Sequence, residues 1–139
     1  MPDGGLTWVD RLEPAQAEQL VGLFSGEWWT QGRDIEGVMR MLAGSAEVVA
    51  ALDGDRLVAF GRVVGDGVYR ATINDVIIAE SHRDRGLGTA VVRTLLARPA
   101  VAASSHVDLH CIPAMIFFYE RLGFKRADPD LRRMEIKTP

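Results

Sequence analysis

The sequence predicts a single mixed α+β domain over residues 1–139, in which one sheet carries helices on both faces. Amphipathic helical spacing comes first, β-rich segments follow, and strands then alternate with helices up to a terminal strand. With 139 residues, 47% of them hydrophobic and 25% charged, the chain can bury a continuous core without a metal or disulfide. We therefore expect a central mixed, mostly antiparallel sheet of about six to seven strands, flanked by about four helices.

The N-terminal third predicts a short strand at 6–9 and two helices. Pro14 fits the first turn of a helix, Asp34 fits an N-cap, and Gly44 fits the end of the second helix. Apolar residues recur on one helical face after each start. They are Ala17, Leu20, Val21 and Phe24 in the first helix, and Ile35, Val38, Met39 and Leu42 in the second.

The rest of the chain alternates β-rich segments with turns and two further helices. Glycine-containing turns separate the first three of these strands, and the end of the third is apolar on both faces, as in a central buried strand. Pro99 and Gly123 end the two helices. The predicted strands are 48–52, 57–64, 69–79, 106–111 and 131–136, and the predicted helices are 88–96 and 113–122.

Composition excludes several classes of function. The formal net charge of −3 argues against nucleic acid as a partner, because such a protein needs a basic face. Cys111 is the only cysteine, so there is no internal disulfide and no multi-thiolate metal site. No apolar run approaches the roughly 20 residues of a membrane span, and the N-terminus lacks the pattern of a secretion signal. We expect a cytoplasmic protein that binds no membrane.

The segment from Asn74 to Gly88 is the most informative part of the chain. An apolar strand breaks into a polar turn, and the string R-x-x-G-x-G, Arg83 to Gly88, opens directly into a helix. Glycines let backbone N–H groups approach a ligand, and the first helical turn presents unpaired donors, so this arrangement predicts a phosphate site. A Walker loop is absent. A dinucleotide fingerprint would have Asp108 as its acid, but Val91 occupies its third glycine position.

A second motif follows about 30 residues later, in the helix that contains Phe117, Phe118, Tyr119 and Glu120 and ends at Leu122-Gly123-Phe124. Together the two motifs resemble the GNAT superfamily of acyl-CoA-dependent N-acyltransferases, in which R-x-x-G-x-G/A binds the CoA pyrophosphate. The resemblance is closest to short members that acetylate arylalkylamines or other small amines. It implies a GNAT-like fold and acetyl-CoA as co-substrate. Two positions depart from the family pattern, because Ile112 and Met115 stand where many members have Asn and Ala that contact the cofactor.

The resemblance also implies a set of cofactor-binding residues. Backbone N–H groups would face the pyrophosphate, and the strand before the loop would offer free backbone groups to pantetheine. Val76 and Ile78 would pair with pantetheine, and Ile77 or Val76 would donate an N–H to the thioester oxygen. The pyrophosphate loop comprises Arg83, Arg85, Gly86, Leu87, Gly88 and Thr89, with the two arginines adding charge.

Tyr119 is the predicted catalytic acid, because the family carries a catalytic tyrosine here and a phenol can protonate the departing thiolate. The acceptor amine must also lose a proton, and the candidate bases are Asp75, Glu80 and His110. Asp75 is singled out because an acid within an apolar strand is costly without a partner. It would act as the base or anchor a cationic substrate, unless it forms only a structural hydrogen bond.

Trp28 and Trp29 lie where the family places its acceptor site, and with Glu27 or Asp34 they could bind a cationic or aryl amine. They could equally pack two helices against the sheet. His106, Asp108 and His110 share one face of a strand, but such alternate positions rarely converge on a metal, so we expect none. Cys111 is more typical of a small buried residue than of an acyl relay.

These patterns predict an acetyl-CoA-dependent N-acetyltransferase that acts by direct transfer to a primary amine, more typically of a small molecule than of a protein lysine or N-terminus. A non-catalytic acyl-CoA-binding regulatory module and a nicotinamide-dinucleotide binder are the rivals. Members of the family often pair, so a homodimer is also expected.

Overall fold

The computed structural model describes residues 5–139, and in this part of the chain five strands form one sheet. The strands are β1 Thr7–Val9, β2 Glu47–Asp53, β3 Arg56–Gly65, β4 Arg70–Ile78 and β5 His106–Asp108. The helices are α1 Pro14–Ser25, α2 Ile35–Gly44, α3 Leu87–Ala97, α4 Pro99–Ala102 and α5 Ile116–Arg121. Single 3₁₀ turns are formed by Trp28–Thr30, Glu80–His82 and Pro113–Met115. Within this described range, no helix is long and apolar enough to cross a membrane.

The strands lie in the sheet in chain order, from β1 to β5. Neighbours from β1 to β4 are antiparallel, whereas β4 and β5 are parallel. The parallel pairing is short, and its last pair is Thr72 with Asp108. From Ile73 onward, β4 therefore has no partner strand among residues 5–139 on its β5 side. This is the sheet edge at which the candidate site lies.

Helices cover both faces of the sheet. On one face, α1 and α2 bury Leu20, Phe24 and Val38 against Phe60 and Ile77. Phe24 and Phe60 meet edge to face, with ring centroids 6.0 Å apart. On the other face, α3 places Val91, Val92 and Leu95 against β2 and β3, and Tyr119 of α5 packs against the same cluster. The mixed α/β class is confirmed.

Local sequence signals explain how the first two helices begin. Pro14 is the first residue of α1, where its missing N–H costs nothing. Asp34 caps α2, and its Oδ1 accepts a hydrogen bond from the Gly37 N–H at 2.8 Å. Both starts agree with the sequence prediction.

Two predicted strands of the second half of the chain are wrong. The last strand, 131–136, is not formed, and Leu131, Met134 and Ile136 are exposed. An alternating pattern becomes a strand only when a neighbouring strand supplies hydrogen bonds, and no described strand pairs with this segment. The strand at 106–111 ends at Asp108 because β4 and β5 separate there. The third helix does stop before Pro99, as predicted, because α3 ends at Ala97; Pro99 then opens the short helix α4, since proline is tolerated at a first helical position. The described residues thus form five strands and five helices, where the sequence predicted six to seven strands and about four helices.

Candidate active site

The β4–α3 connection contains the predicted phosphate loop. Gly86 is the N-cap of α3 with a φ of 77°, a left-handed conformation that glycine adopts without strain. The first hydrogen bond of the helix runs from the Ala90 N–H to the Gly86 carbonyl at 3.1 Å. Helical geometry therefore leaves the N–H groups of Leu87, Gly88 and Thr89 without an intrahelical acceptor. A Cβ added to Gly86 would meet nothing within 4 Å, so the space beside the start of the helix is open.

The two sequence motifs meet in space at this helix terminus. A Cβ added to Gly88 would lie 3.3 Å from Cζ of Phe118, so the beginning of α3 is in contact with α5. Because the glycine permits this approach, the aromatic helix lies next to the phosphate loop. The contact joins segments that are 30 residues apart in the chain.

Tyr119 lies beside that contact in a half-buried aromatic cluster. Its ring packs edge to face with Phe118 at 4.9 Å and with Phe124 at 5.8 Å. Burial, and to a lesser degree the nearby Cys111 thiol, raise the pKa of Tyr119 above its ordinary value of 10.0. Its hydroxyl makes no hydrogen bond to any residue in the described range 5–139. The side chain therefore presents a protonated, unpaired donor.

A β-bulge interrupts β4 just before the loop. Phe60 pairs with Ile77 and Arg62 pairs with Asn74, so Gly61 of β3 lies opposite both Asp75 and Val76. Asp75 occupies the first bulge position with a φ of 55°, where glycine is the usual residue. The bulge shifts the hydrogen-bonding register of β4 by one residue.

Beyond the bulge, this register decides which backbone groups are free. The Ala79 N–H donates to the Val58 carbonyl at 2.8 Å, and Ile77 pairs with Phe60 in the same register. Alternation then directs the backbone groups of Val76 and Ile78 away from β3, toward the side where β5 is absent. The Ile78 carbonyl is accessible there, since Nε of Arg83 donates to it at 3.1 Å. Of the three β4 residues predicted to bind the cofactor, Ile77 does not fit, because its N–H points toward β3.

Arg83 connects the phosphate loop to the turn that contains the tryptophans. Its Nη2 lies 2.6 Å from Oε1 of Glu27. Arg83 thus bridges Glu27 and the Ile78 carbonyl, while Arg85 is exposed. The ion pair also neutralises Glu27, one of the two acids considered for a cationic acceptor. The other, Asp34, is engaged as the cap of α2.

Trp28 and Trp29 both lie at the surface, 71% and 46% exposed. Their rings meet edge to face at 5.9 Å. The residue that anchors this turn is Thr30, whose hydroxyl donates to the Phe24 carbonyl at 2.6 Å. The tryptophans therefore do not fill the core between α1, α2 and the sheet.

Asp75 is held by two arginines that the sequence analysis did not identify as site residues. Its side chain is only 7% exposed, and Oδ2 lies 2.7 Å from Nε of Arg62 and 3.0 Å from Nη1 of Arg33. Oδ1 accepts from Nη2 of Arg33 at 3.2 Å. Arg33 also lies over the Phe24 ring, 4.5 Å from its centroid. The signal in the sequence was Asp75 itself, since a buried acid requires a cationic partner, but not which one.

A cavity of about 270 Å³ adjoins these arginines on the α2 side of the sheet. Its lining residues come from the loop before α2, from α2 and from β3. They are Gly32, Arg33, Asp34, Gly37, Val38, Met41 and Arg62. The cavity and the Trp28–Trp29 turn lie at opposite ends of the same loop.

The remaining candidates are dispersed. Oδ1 of Asp108 accepts a hydrogen bond from the Thr72 hydroxyl at 2.7 Å. Residues 5–139 contain no group of three or more His, Cys, Asp or Glu side chains arranged to hold a metal. Cys111, His110 and Glu80 are exposed, and Cys111 is thus not the buried residue that its sequence context suggested.

Comparison with known proteins identifies the part of the chain that contains these features. A family model for the acetyltransferase (GNAT) domain matches residues 44–126, which include the bulge, the phosphate loop and α5. Serotonin N-acetyltransferase 2, chloroplastic, of Oryza sativa subsp. japonica is 39% identical over 84 residues, covering 60% of this chain and 42% of that protein. The chain spans 38–42% of the length of the first curated relatives that it matches.

Solved structures share the fold at lower identity. A GNAT-family acetyltransferase from Streptococcus pneumoniae TIGR4 superposes with a TM-score of 0.78 at 23% identity, covering 96% of this chain and 98% of that one. Glucosamine-6-phosphate N-acetyltransferase from Arabidopsis thaliana gives a TM-score of 0.73 at 17% identity, covering 93% and 97%. At these identities the likeness establishes the fold alone.

Proposed function

Because the chain belongs to the GNAT acetyltransferase family, we propose that it transfers an acetyl group from acetyl-CoA to the primary amine of a small molecule. One observation carries the proposal. The uncapped N-terminus of α3, the unpaired edge of β4 and the free hydroxyl of Tyr119 lie on neighbouring elements. Together they offer one site for a diphosphate, for an extended amide-containing arm and for a leaving group.

The phosphate loop and the edge of β4 would hold acetyl-CoA. The N–H groups of Leu87, Gly88 and Thr89 suit a pyrophosphate, since a helix N-terminus combines unpaired donors with a favourable dipole. Arg85 is exposed and would add charge. Arg83 would contact the phosphates only by leaving Glu27. We therefore propose that its main role is to hold the Trp28–Trp29 turn through Glu27.

The arm of the cofactor would extend along β4. The outward backbone groups of Val76 and Ile78 can pair with pantetheine amides as a neighbouring strand would. The Val76 N–H, turned outward at the bulge, would donate to the thioester oxygen as negative charge develops on it. Such a donor is worth about 2.7–4 kcal/mol of transition-state stabilisation in other acyl-transfer sites.

Acetyl transfer then requires two proton movements. The amine nitrogen attacks the thioester carbonyl, the carbon–sulfur bond breaks, and the sulfur takes a proton from Tyr119. The raised pKa of Tyr119 keeps that proton in place at neutral pH. The proton lost by the amine passes to a base or to water, and Glu80 and His110 remain candidates for this role because both are exposed.

The exposed Trp28–Trp29 pair supports an acceptor with an aromatic or otherwise apolar body. The rice relative bears the name of an enzyme for an arylalkylamine, which agrees with this class. Glu27 and Asp34 are both engaged, so we assign acceptor binding to aromatic contact rather than to an acidic anchor. A cytoplasmic location is also proposed, on the basis of the composition.

The decisive experiment measures CoA release with acetyl-CoA and a panel of amines. The panel contains arylalkylamines, aliphatic diamines, amino acids, and lysine and N-terminal peptides. Turnover confined to small amines supports the proposal, and turnover confined to peptides replaces it with a protein acetyltransferase. Binding of acetyl-CoA without turnover of any amine would indicate a non-catalytic acyl-CoA module.

A further inference from the structure

Asp75 combines three properties of backbone, position and burial. It has a left-handed backbone conformation without being glycine, it lies at the first position of the β4 bulge, and its carboxylate is almost fully buried. Its two arginine partners come from separate elements. Arg62 belongs to β3, and Arg33 belongs to the loop between Trp28–Thr30 and α2.

We propose that Asp75 is a positioning residue, whose carboxylate is clamped by Arg33 and Arg62 so that the bulge directs the Val76 N–H toward the thioester oxygen. The inference rests on the proposed acetyl transfer. It assigns Arg33 and Arg62 a part in that reaction and gives Asp75 a different role from the base or substrate anchor expected from sequence.

The backbone supplies the first argument. A left-handed conformation is unfavourable for a residue with a Cβ, and Asp is among the few that tolerate it. Such a residue persists only where the surroundings determine its conformation. At Asp75 they do so through three N–H contacts from two guanidinium groups, at 2.7, 3.0 and 3.2 Å. Charge-assisted contacts of this kind are the stronger class of hydrogen bond.

The second argument is that both carboxylate oxygens of Asp75 already have hydrogen-bonding partners. A general base must come within hydrogen-bond range of the proton that it removes. Both oxygens of Asp75 already accept from arginine, and the side chain is only 7% exposed. A cationic amine would likewise meet two arginines before it met the acid. The geometry therefore favours an internal partner over a group that contacts the acceptor.

The location of Arg33 gives the clamp a second consequence. Arg33 follows the Trp28–Trp29 turn and packs over Phe24 of α1. Arg62 lies on β3, and its Nη1 donates to the Ser45 hydroxyl just after α2 at 3.5 Å. The clamp thus links the loop that would bind the acceptor to the bulge that would bind the thioester. Arg33→Gln should raise KM for the amine more than Arg62→Gln does, while both lower kcat.

A four-variant series at one position tests the proposal. Asp75→Asn keeps tolerance of the left-handed conformation and one acceptor oxygen, Asp75→Gly keeps the backbone freedom alone, Asp75→Ala keeps neither, and Asp75→Glu keeps the charge with a longer side chain. We measure kcat, KM for the amine, the acetyl-CoA Kd by calorimetry, the pH profile of kcat and Tm. Arg40→Gln, an exposed charge change on α2, is the control for the arginine variants.

The clamp predicts a graded order. Asp75→Asn should retain kcat within about fivefold, and Asp75→Gly should exceed Asp75→Ala by about fivefold or more in kcat, with the same order in Tm. The acidic limb of the pH profile, which a general base would set, should not move in any variant. Equal losses of about 10²-fold or more in Asn, Gly and Ala, with a displaced pH profile, would show instead that Asp75 is the base.

Two further outcomes separate this inference from the proposed function. If all four variants match the wild type in kcat and acetyl-CoA Kd and differ only in Tm, Asp75 merely stabilises the fold and the inference is overturned. If the wild type neither binds acetyl-CoA nor acetylates any amine, the proposed function fails. The order of Tm then still tests the clamp: Gly above Ala reports the left-handed backbone, and Asn above Gly reports the contacts with the arginines.

Discussion

Asp75 and Asp84 both have positive φ angles, 55° and 62°, on the segment that leads from β4 into α3. Asp75 is buried between arginines, whereas Asp84 is exposed on the loop two residues before Gly86. The left-handed conformation of Asp75 is therefore held by charge pairing. Asp84 lies instead in the loop where a diphosphate is proposed to bind.

Asp84→Gly should tighten acetyl-CoA binding by about two- to fivefold, because it removes a negative charge near the phosphates and a Cβ from a left-handed position. Calorimetry at low and high salt checks this, since an electrostatic gain should shrink when ions screen it. Asp84→Asn separates charge from backbone, for it removes only the charge. An unchanged or weaker Kd in both variants would place the diphosphate elsewhere.

Tyr119→Phe should lower kcat by about 10²- to 10⁴-fold while the acetyl-CoA Kd stays within about twofold. The hydroxyl has no partner among residues 5–139, so its removal should leave the packing intact. Tyr69→Phe is the matched control, because Tyr69 is exposed at the start of β4. Full turnover of Tyr119→Phe with a good amine would remove the role of the phenol.

The pH dependence follows from the same group. Burial raises the pKa of Tyr119 above 10.0, so the phenol stays protonated below that pH. It stops acting as a general acid only at higher pH, where it loses its proton. The wild type should therefore show no decline of kcat attributable to Tyr119 below about pH 10.

At the scale of elements, glycines determine how closely α3 approaches its neighbours. A Cβ at Gly61 would lie 2.6 Å from Cγ1 of Val91, so this glycine opposite the bulge lets α3 lie directly on β3. Gly88 permits the contact with Phe118, and Gly86 turns the chain into the helix. The bulge, the helix N-terminus and α5 are held together by these approaches.

Gly61→Ala should destabilise the protein by about 1–3 kcal/mol, because the added methyl group overpacks the contact with Val91. Gly22→Ala is the matched control. Gly22 is an exposed position within α1 where a Cβ meets nothing within 4 Å, so this change should stabilise by about 0.5–1 kcal/mol. Denaturant unfolding of both variants measures the difference, and equal stabilities would contradict the close approach.

Gly86→Val should weaken acetyl-CoA binding at least about tenfold, since a branched side chain would project into the open site beside the unpaired N–H groups. The change also strains a left-handed backbone. Gly67→Val controls for this strain, because Gly67 has a φ of 76° in the β3–β4 turn and equally open surroundings. Matching Kd values in two folded variants would refute the phosphate site.

For the whole molecule, the family match implies acetyl-CoA as the acetyl donor but does not identify the acceptor. The segment matched by the family model contains the bulge, the loop and α5, whereas the Trp28–Trp29 turn precedes it. The proposed acceptor region thus lies outside the matched segment. Pairing as a homodimer, expected from the family resemblance, stays a prediction.

Acetyl-CoA at about 100 times its Kd should stabilise the folded protein by about 2.7 kcal/mol, which corresponds to a rise in Tm of roughly 5–10 °C. A thermal-shift screen with acetyl-CoA, CoA, NAD and ATP measures this in one experiment. Stabilisation by NAD and not by CoA would instead support the dinucleotide binder. Val91 argues against that outcome, because it packs tightly at the position where a dinucleotide fold needs glycine.

The sequence alone determined the α+β class, the starts of the first three helices, the glycine turn into α3 and the aromatic motif of α5. These features depend on local rules, since periodicity, N-caps and glycines act within a few residues of the chain. The same rules failed for the segment 131–136 and for the end of β5, because a strand exists only where another strand pairs with it.

Only the tertiary structure decided which residues meet. It paired Asp75 with Arg33 and Arg62 and engaged Glu27 with Arg83. Such pairings join positions 13 to 56 residues apart. Nothing in the local pattern selects one arginine among many, because a buried carboxylate requires a cation but the choice of cation depends on how the whole sheet and its helices pack.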